Sequence, residues 1–113
     1  MRIDNHQVFW LALNYLVTDG CLSAGKALRF FDSEDKLLNP EPAYLSSCQL
    51  SSPARQRILS GELVSRASLE AEQLARSGYT LLNFKDSQYP QLLREIVEPP
   101  LVLYAYGQID LLN

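Results

Sequence analysis

The sequence predicts a mainly helical fold, in which a small bundle of five to six short helices precedes a strand–helix–strand segment. Apolar residues recur at helical spacing through residues 1–78, and Ser, Pro and Gly occur where such helices would begin or end. After Gly78 the pattern changes to two short apolar runs around a proline-rich turn. The 113 residues, 47% of them hydrophobic, suit one ordinary domain, or a small domain with part of a second, and exclude a disordered chain.

The first helix has the clearest signals. Asp4 is the predicted N-cap and Gln7, three residues later, is its capping-box partner. Apolar side chains then cover most of the helix between Val8 and Val17, until Thr18-Asp19-Gly20 ends it. A helix that is apolar on most sides must be surrounded by other elements, so we expect it at the centre of the bundle.

Five further elements follow before Gly78, each with its own start or stop signal. The first is a helix capped by Ser23 that runs through Phe31, and the second is a short helix that Asp32-Ser33 caps and that ends near Leu38. A short turn over Ala43–Ser47 follows. The next helix is opened by Ser52 with Pro53 at its first position and is interrupted by Gly61, and the last helix runs from Glu62 or Ser65 to Ser77, where Gly78 ends it.

The strand–helix–strand segment begins at Tyr79. We predict a buried strand over Tyr79–Phe84, a turn at 85–87, a short helix over Gln91–Ile96, and a second strand over Leu101–Tyr106 that Gly107 closes. Two strands alone are only marginally stable, and continuous apolar strands usually belong to a sheet covered on both faces. We therefore expect residues 79–113 to be the start of a larger sheet, with a helical domain over residues 1–78.

Residues 79–112 resemble the segment that leads into the core of the DNA-processing protein A family (DprA, also called Smf). The pattern is a strand, Tyr-Pro-x-Leu-Leu-x-x-Ile, an acidic residue with Pro-Pro, a Val-Leu-Tyr strand and a Gly. The matching residues are Tyr89, Pro90, Leu92, Leu93, Ile96, Glu98, Pro99, Pro100, Val102, Leu103, Tyr104 and Gly107. The upstream half is more loosely similar to the helical N-terminal module of that family, which resembles a sterile-alpha-motif (SAM) or helix-hairpin-helix domain.

The resemblance implies a role in natural transformation, in which members bind and protect incoming single-stranded DNA and load the RecA recombinase onto it. Their main DNA-binding and dimerising domain, an extended Rossmann-like fold, would begin directly after Leu112. We therefore expect this chain to be an N-terminal piece or a truncated member, accessory and non-catalytic. The implied partners are single-stranded DNA, a RecA-type recombinase and, in a homodimer, a second copy.

The charge distribution restricts any DNA contact to a local patch. Residues 1–60 contain six Lys/Arg and six Asp/Glu, whereas residues 61–113 contain four and seven, so a strongly basic footprint is absent. Lys26, Arg29, Arg55 and Arg57 are the candidate nucleic-acid-binding residues, because they could converge near two helix starts. The alternative is that they lie on solvated helix faces.

The two inter-helix turns are poor phosphate-binding hairpins. Residues 18–23 retain one glycine and place Asp19 where a carboxylate would repel phosphate, while residues 48–52 contain no glycine. This composition favours an alternative function, a SAM-type protein–protein interaction module without nucleic-acid contact. Four aromatic residues could stack on bases, but their spacing favours the core: Phe9, Trp10, Phe30 and Phe31.

Nothing in the sequence predicts a catalytic, metal or cofactor site. Cys21 and Cys48 are too few for a disulfide framework or a structural zinc site, and nothing places either near His6. The longest apolar runs have six residues, whereas a membrane-spanning helix needs about 18. Without a spanning segment or a signal-peptide pattern, the expected location is the cytoplasm.

Overall fold

The computed structural model describes residues 5–106, which form seven α-helices and one two-stranded antiparallel sheet. The predicted helical bundle with a following strand–helix–strand segment is confirmed at this level. In chain order the elements are α1 (Asn5–Thr18), α2 (Ala24–Phe30), α3 (Glu34–Leu38), α4 (Pro42–Ser47), α5 (Ser52–Leu59), α6 (Glu62–Ser77), β1 (Tyr79–Asn83), α7 (Gln91–Arg94) and β2 (Val102–Tyr106). The predicted cap Asp4 and the predicted stop Gly107 lie outside the described residues.

Helix α1 is the central helix, as its apolar circumference predicts. Eight of its 14 residues are buried, among them Leu11, Leu13 and Leu16 with essentially no exposed surface. It packs chiefly against α6 and also contacts α2, α3 and β2. Helix α1 therefore has neighbours on several sides, as an apolar circumference requires.

The helix boundaries follow the predicted local signals with two corrections. The first is that α4 is a helix where a short turn was predicted over Ala43–Ser47, and the second is the cap of α5. Ser23 caps α2, its hydroxyl oxygen accepting from the Lys26 N–H at 3.2 Å. Helix α5 is capped by Ser51 instead of the predicted Ser52, since the extended Ser51 accepts from the Ala54 N–H at 3.3 Å while Ser52 is already helical. Ser33 occupies the N-cap position of α3 without a side-chain hydrogen bond.

Three described glycines, Gly20, Gly61 and Gly78, adopt the left-handed backbone conformation that side chains disfavour, and the last two lie at helix boundaries. Gly61 (φ +81°) separates α5 from α6, and Gly78 (φ +78°) ends α6 by donating its N–H to the Leu74 carbonyl. Both positions agree with the predicted breaks, because a left-handed residue cannot continue a right-handed helix.

The strand segment is slightly shorter than predicted at each element. Strands β1 and β2 pair antiparallel from Tyr79 opposite Tyr106 to Asn83 opposite Val102. Helix α7 ends at Arg94 and does not reach Ile96. The Arg94 guanidinium donates to the carbonyl oxygens of Phe84 and Asp86, so the last residue of α7 is bound to the turn that follows β1.

The strand segment packs on the helices. Leu101 and Val102 belong to the same buried cluster as the core residues of α1 and α6. Leu82 and Ala105 are also buried. Part of the burial that the sequence assigned to a larger sheet therefore comes from helices of the same chain, while a domain boundary at Gly78 stays a prediction.

Candidate nucleic-acid interface

A cleft opens between the loop that precedes α2 and the loop that precedes α5. Its volume is about 370 Å³, within the range of roughly 300–1,000 Å³ typical of ligand sites. Lys26 and Arg29 both line it. The other lining residues are Gly20, Cys21, Leu22, Ser23, Phe30, Cys48, Gln49, Leu50 and Ser51. We call this the basic cleft.

The two cations of the basic cleft form no ion pair within the part of the chain that the structure describes. Lys26 and Arg29 are three positions apart on α2, a spacing that places side chains on one helix face. Both are exposed, and among residues 5–106 no carboxylate lies within ion-pair distance of either. The cleft therefore offers uncompensated positive charge to an anion.

Three backbone amides at the two helix starts already donate to side chains. The Ser23 and Ser51 hydroxyls accept from Lys26 and Ala54, as described above. The Ala24 N–H donates to the Glu98 carboxylate at 3.1 Å. These three amides are therefore not free to bind a phosphate in the basic cleft.

Arg57 does not line the basic cleft. Its guanidinium contacts Asp19 at 2.8 Å and Glu62 at 3.6 Å, and it lies 3.5 Å from the sulfur of Cys21. Burial lowers the pKa of Arg57, but the hydrogen bonds to Asp19 and Cys21 outweigh this effect and raise it above its usual value. Asp19 also binds Arg66 at 3.3 Å, so one carboxylate holds two arginines.

Arg55 lines a separate, smaller depression of about 170 Å³, and its guanidinium donates to the Ser52 hydroxyl at 3.2 Å. The structure thus brings together two of the four candidate cations, Lys26 and Arg29. Arg57 is neutralised chiefly by Asp19, which is distant in the sequence and which no local pattern could indicate, and also contacts the nearby Glu62.

The aromatic residues divide between core and cleft. Phe9, Trp10 and Phe31 are buried, as their spacing favours. Phe30 packs against the core but also lines the basic cleft, where the Arg29 guanidinium lies 5.2 Å from its ring centroid. Phe30 directly precedes the buried Phe31, and successive side chains at the end of a helix point in different directions, so the Phe30 ring does not lie on the inner face of α2.

A second polar cluster joins α1, α6 and β2. The Glu70 carboxylate accepts hydrogen bonds from the hydroxyls of Tyr15 and Tyr104, and the Arg66 guanidinium lies 3.9 Å from the Tyr15 ring centroid. Burial, reinforced by the bond to Glu70, raises the pKa of both tyrosines. The sequence gives no signal for this cluster beyond the i,i+4 spacing of Arg66 and Glu70.

The described residues contain few other groups that could react or bind a metal ion. Cys21 and Cys48 are free thiols. Within residues 5–106 no three His, Cys, Asp or Glu side chains are grouped so that they could hold a metal ion. No helix among these residues combines the length and apolar character needed to cross a membrane.

Comparison with family profiles, with curated proteins and with solved structures finds no match to this chain. The fold and the cleft by themselves define a small helical module with a two-stranded sheet and a local basic cleft. The resemblance of residues 79–112 to the DprA family stays a prediction.

Proposed function

We propose that this chain is the N-terminal accessory module of a DprA-like DNA-processing protein, and that Lys26 and Arg29 contact the backbone of single-stranded DNA. The observation that supports the contact is the pair of uncompensated cations in one cleft. The residue pattern from Tyr89 to Tyr104 supports the family. The module is of SAM or helix-hairpin-helix type, precedes a Rossmann-like domain and acts in the cytoplasm without catalysis, alongside a RecA-type recombinase.

Binding through this cleft is weak and depends on salt. Each phosphate neutralised on a single strand lowers the slope of log affinity against log salt by about 0.7, so two contacts lose roughly sevenfold between 50 and 200 mM salt. The net charge of −3 opposes association further. The module therefore adds to DNA binding by the rest of its parent protein and does not replace it.

Fluorescence anisotropy of a labelled single-stranded oligonucleotide, titrated with this chain at about 50 and 200 mM salt, tests the proposal. We expect weak binding that decreases with salt, and a loss of at least about tenfold in the Lys26→Glu/Arg29→Glu variant.

The matched control is Arg76→Glu/Lys85→Glu, which changes the net charge equally but alters residues that do not line the basic cleft. An equal loss in both double variants would show that only the overall charge matters. Absence of binding at both salt concentrations would contradict the DNA contact.

The alternative is a SAM-type protein–protein interaction module without nucleic-acid contact. The observation that favours it is an exposed apolar turn containing Leu92, Ile96 and Val97. Absence of DNA binding at both salt concentrations would make this the better proposal.

A further inference from the structure

The segment after β1 exposes three large aliphatic side chains. Leu92 is 80% exposed, Ile96 48% and Val97 95%. We call these three residues the apolar turn. Single exposed apolar side chains are common on protein surfaces, but a group of them within six residues is typical of an interaction site.

The residues that flank the apolar turn are anchored by hydrogen bonds. Arg94 binds the carbonyl oxygens of Phe84 and Asp86, and the Tyr89 hydroxyl donates to the Pro100 carbonyl at 2.6 Å. Proline residues on either side restrict the backbone further. Because this anchoring restricts the flanking backbone, the segment loses less conformational entropy when a partner binds it than an unanchored loop would.

The charge beside the apolar turn is negative. Glu95 is exposed, and among residues 5–106 it forms no ion pair, whereas Arg94 is bound inward. The basic cleft has the complementary character, since Leu22, Phe30 and Leu50 line it together with the uncompensated Lys26 and Arg29. A negative apolar projection and a positive cleft with apolar walls are complementary surfaces.

The two surfaces lie next to each other on one molecule. Glu98, directly after Val97, accepts from the N–H of Ala24, and the adjacent Ser23 lines the basic cleft. Val97 nevertheless remains 95% exposed, so it does not fill the cleft of its own chain. When two complementary patches are adjacent, two copies related by a two-fold axis can each place one patch against the complementary patch of the other copy. The same contact then forms twice.

From these observations we propose that two copies of this chain associate reciprocally, with the apolar turn of each seated in the basic cleft of the other and Glu95 facing Lys26 and Arg29. This proposal does not depend on DNA binding. The two proposals do share a cleft, so an oligonucleotide bound there excludes the second copy.

Sedimentation equilibrium of the chain without nucleic acid tests the association. At about 0.5 mM protein and low salt, we expect a concentration-dependent apparent mass that rises from the monomer mass of 12.8 kDa towards twice that value. Val97→Asp in the turn and Lys26→Glu in the cleft are each expected to weaken association at least about tenfold. Leu92→Asp and Arg29→Glu provide a second variant of each surface, and circular dichroism verifies that all four remain helical.

The matched controls are Leu69→Asp and Lys85→Glu. Leu69 is 64% exposed on α6, outside the apolar turn, and Lys85 does not line the cleft. Both are expected to leave association unchanged. An equal mixture of Val97→Asp and Lys26→Glu is expected to associate more strongly than either variant alone, because the mixed dimer regains one intact contact.

Three outcomes would overturn the proposal. The first is a wild-type chain that stays monomeric at this concentration. The second is association that is weakened by the turn variants but not by the cleft variants, or the reverse. The third is a mixture of the two variants that associates no more strongly than either variant alone. Because the experiment contains no DNA, its failure leaves the proposed DNA contact untouched. Conversely, Val97→Asp should retain oligonucleotide binding.

Discussion

The Glu98 carboxylate accepts a hydrogen bond from the backbone N–H of Ala24, 74 positions earlier in the chain, at 3.1 Å. This bond satisfies an amide in the first turn of α2 that no helical carbonyl can reach, and it places negative charge at the positive end of the helix. The acidic-Pro-Pro segment, which resembles a family motif, thereby fixes the strand segment against the helical bundle.

Replacing Glu98 should loosen this connection. In Glu98→Ala the amide of the buried Ala24 loses its partner, so we expect the free energy of unfolding to fall by about 1–3 kcal/mol. Urea denaturation measures the change. Glu95→Ala, an exposed glutamate three positions earlier, is the control and should stay within about 0.5 kcal/mol of the wild type. Equal stability of all three proteins would show that the bond contributes nothing.

Asp19 should restrain DNA binding, because it holds Arg57 and Arg66 in ion pairs. Asp19→Asn removes the carboxylate that both guanidinium groups share, beside the loop that lines the basic cleft, and leaves Arg57 with the longer contact to Glu62. We expect tighter oligonucleotide binding and a steeper dependence on salt, by about 0.7 in slope for each arginine that reaches a phosphate. Anisotropy titrations at several salt concentrations measure the slope. Asp35→Asn adds the same charge elsewhere, and an identical gain there would contradict this role of Asp19.

Alkaline pH should destabilise the contact between β2 and the bundle. The pKa of Tyr15 and of Tyr104 is raised in the folded chain above the ordinary value of 10.0. Their contribution to stability is therefore complete below pH 10 and is lost as pH rises towards the folded pKa values, because only the unfolded chain releases these protons in that interval. Unfolding by urea at pH 9 to 11 measures this decline. The fall in unfolding free energy with pH should be less steep in Tyr104→Phe. An unchanged slope in that variant would contradict the role given to Tyr104.

Two glycines should respond oppositely to alanine. Gly25 lies within α2 with open space at its Cβ position, so Gly25→Ala should stabilise the chain by about 0.5–1 kcal/mol. Gly61 also has open space but adopts φ +81°, so Gly61→Ala should destabilise it by about 1 kcal/mol. Thermal unfolding of the two variants compares them directly, and stabilisation by Gly61→Ala would refute the argument.

The predictions from the sequence were most accurate where the signal was local. Ser23 and Gly78 act within about four residues, so the start of α2 and the end of α6 could be predicted directly. The displacement of the α5 cap from Ser52 to Ser51 has the same origin, since two adjacent serines offer equivalent hydroxyls and only the backbone conformation distinguishes them. The central position of α1 followed from its apolar circumference.

The candidate site could be predicted only in part. Lys26 and Arg29 share a helix and a spacing, so their proximity was available from the sequence. Arg57 was a candidate only because it lies near another helix start. Its neutralisation by Asp19 and Glu62 required the folded arrangement of α1, α5 and α6, as did the entry of Phe30 into the cleft.

The sequence by itself therefore determined the helical class, the order of the elements and most of their ends, because capping and periodicity depend on neighbouring residues. The tertiary structure alone decided which charges remain uncompensated, which apolar side chains stay exposed, and that the strand ribbon shares the core of the bundle. These properties depend on contacts between residues far apart in the chain. Electrostatic pairing and burial act through space, and only the fold determines those distances.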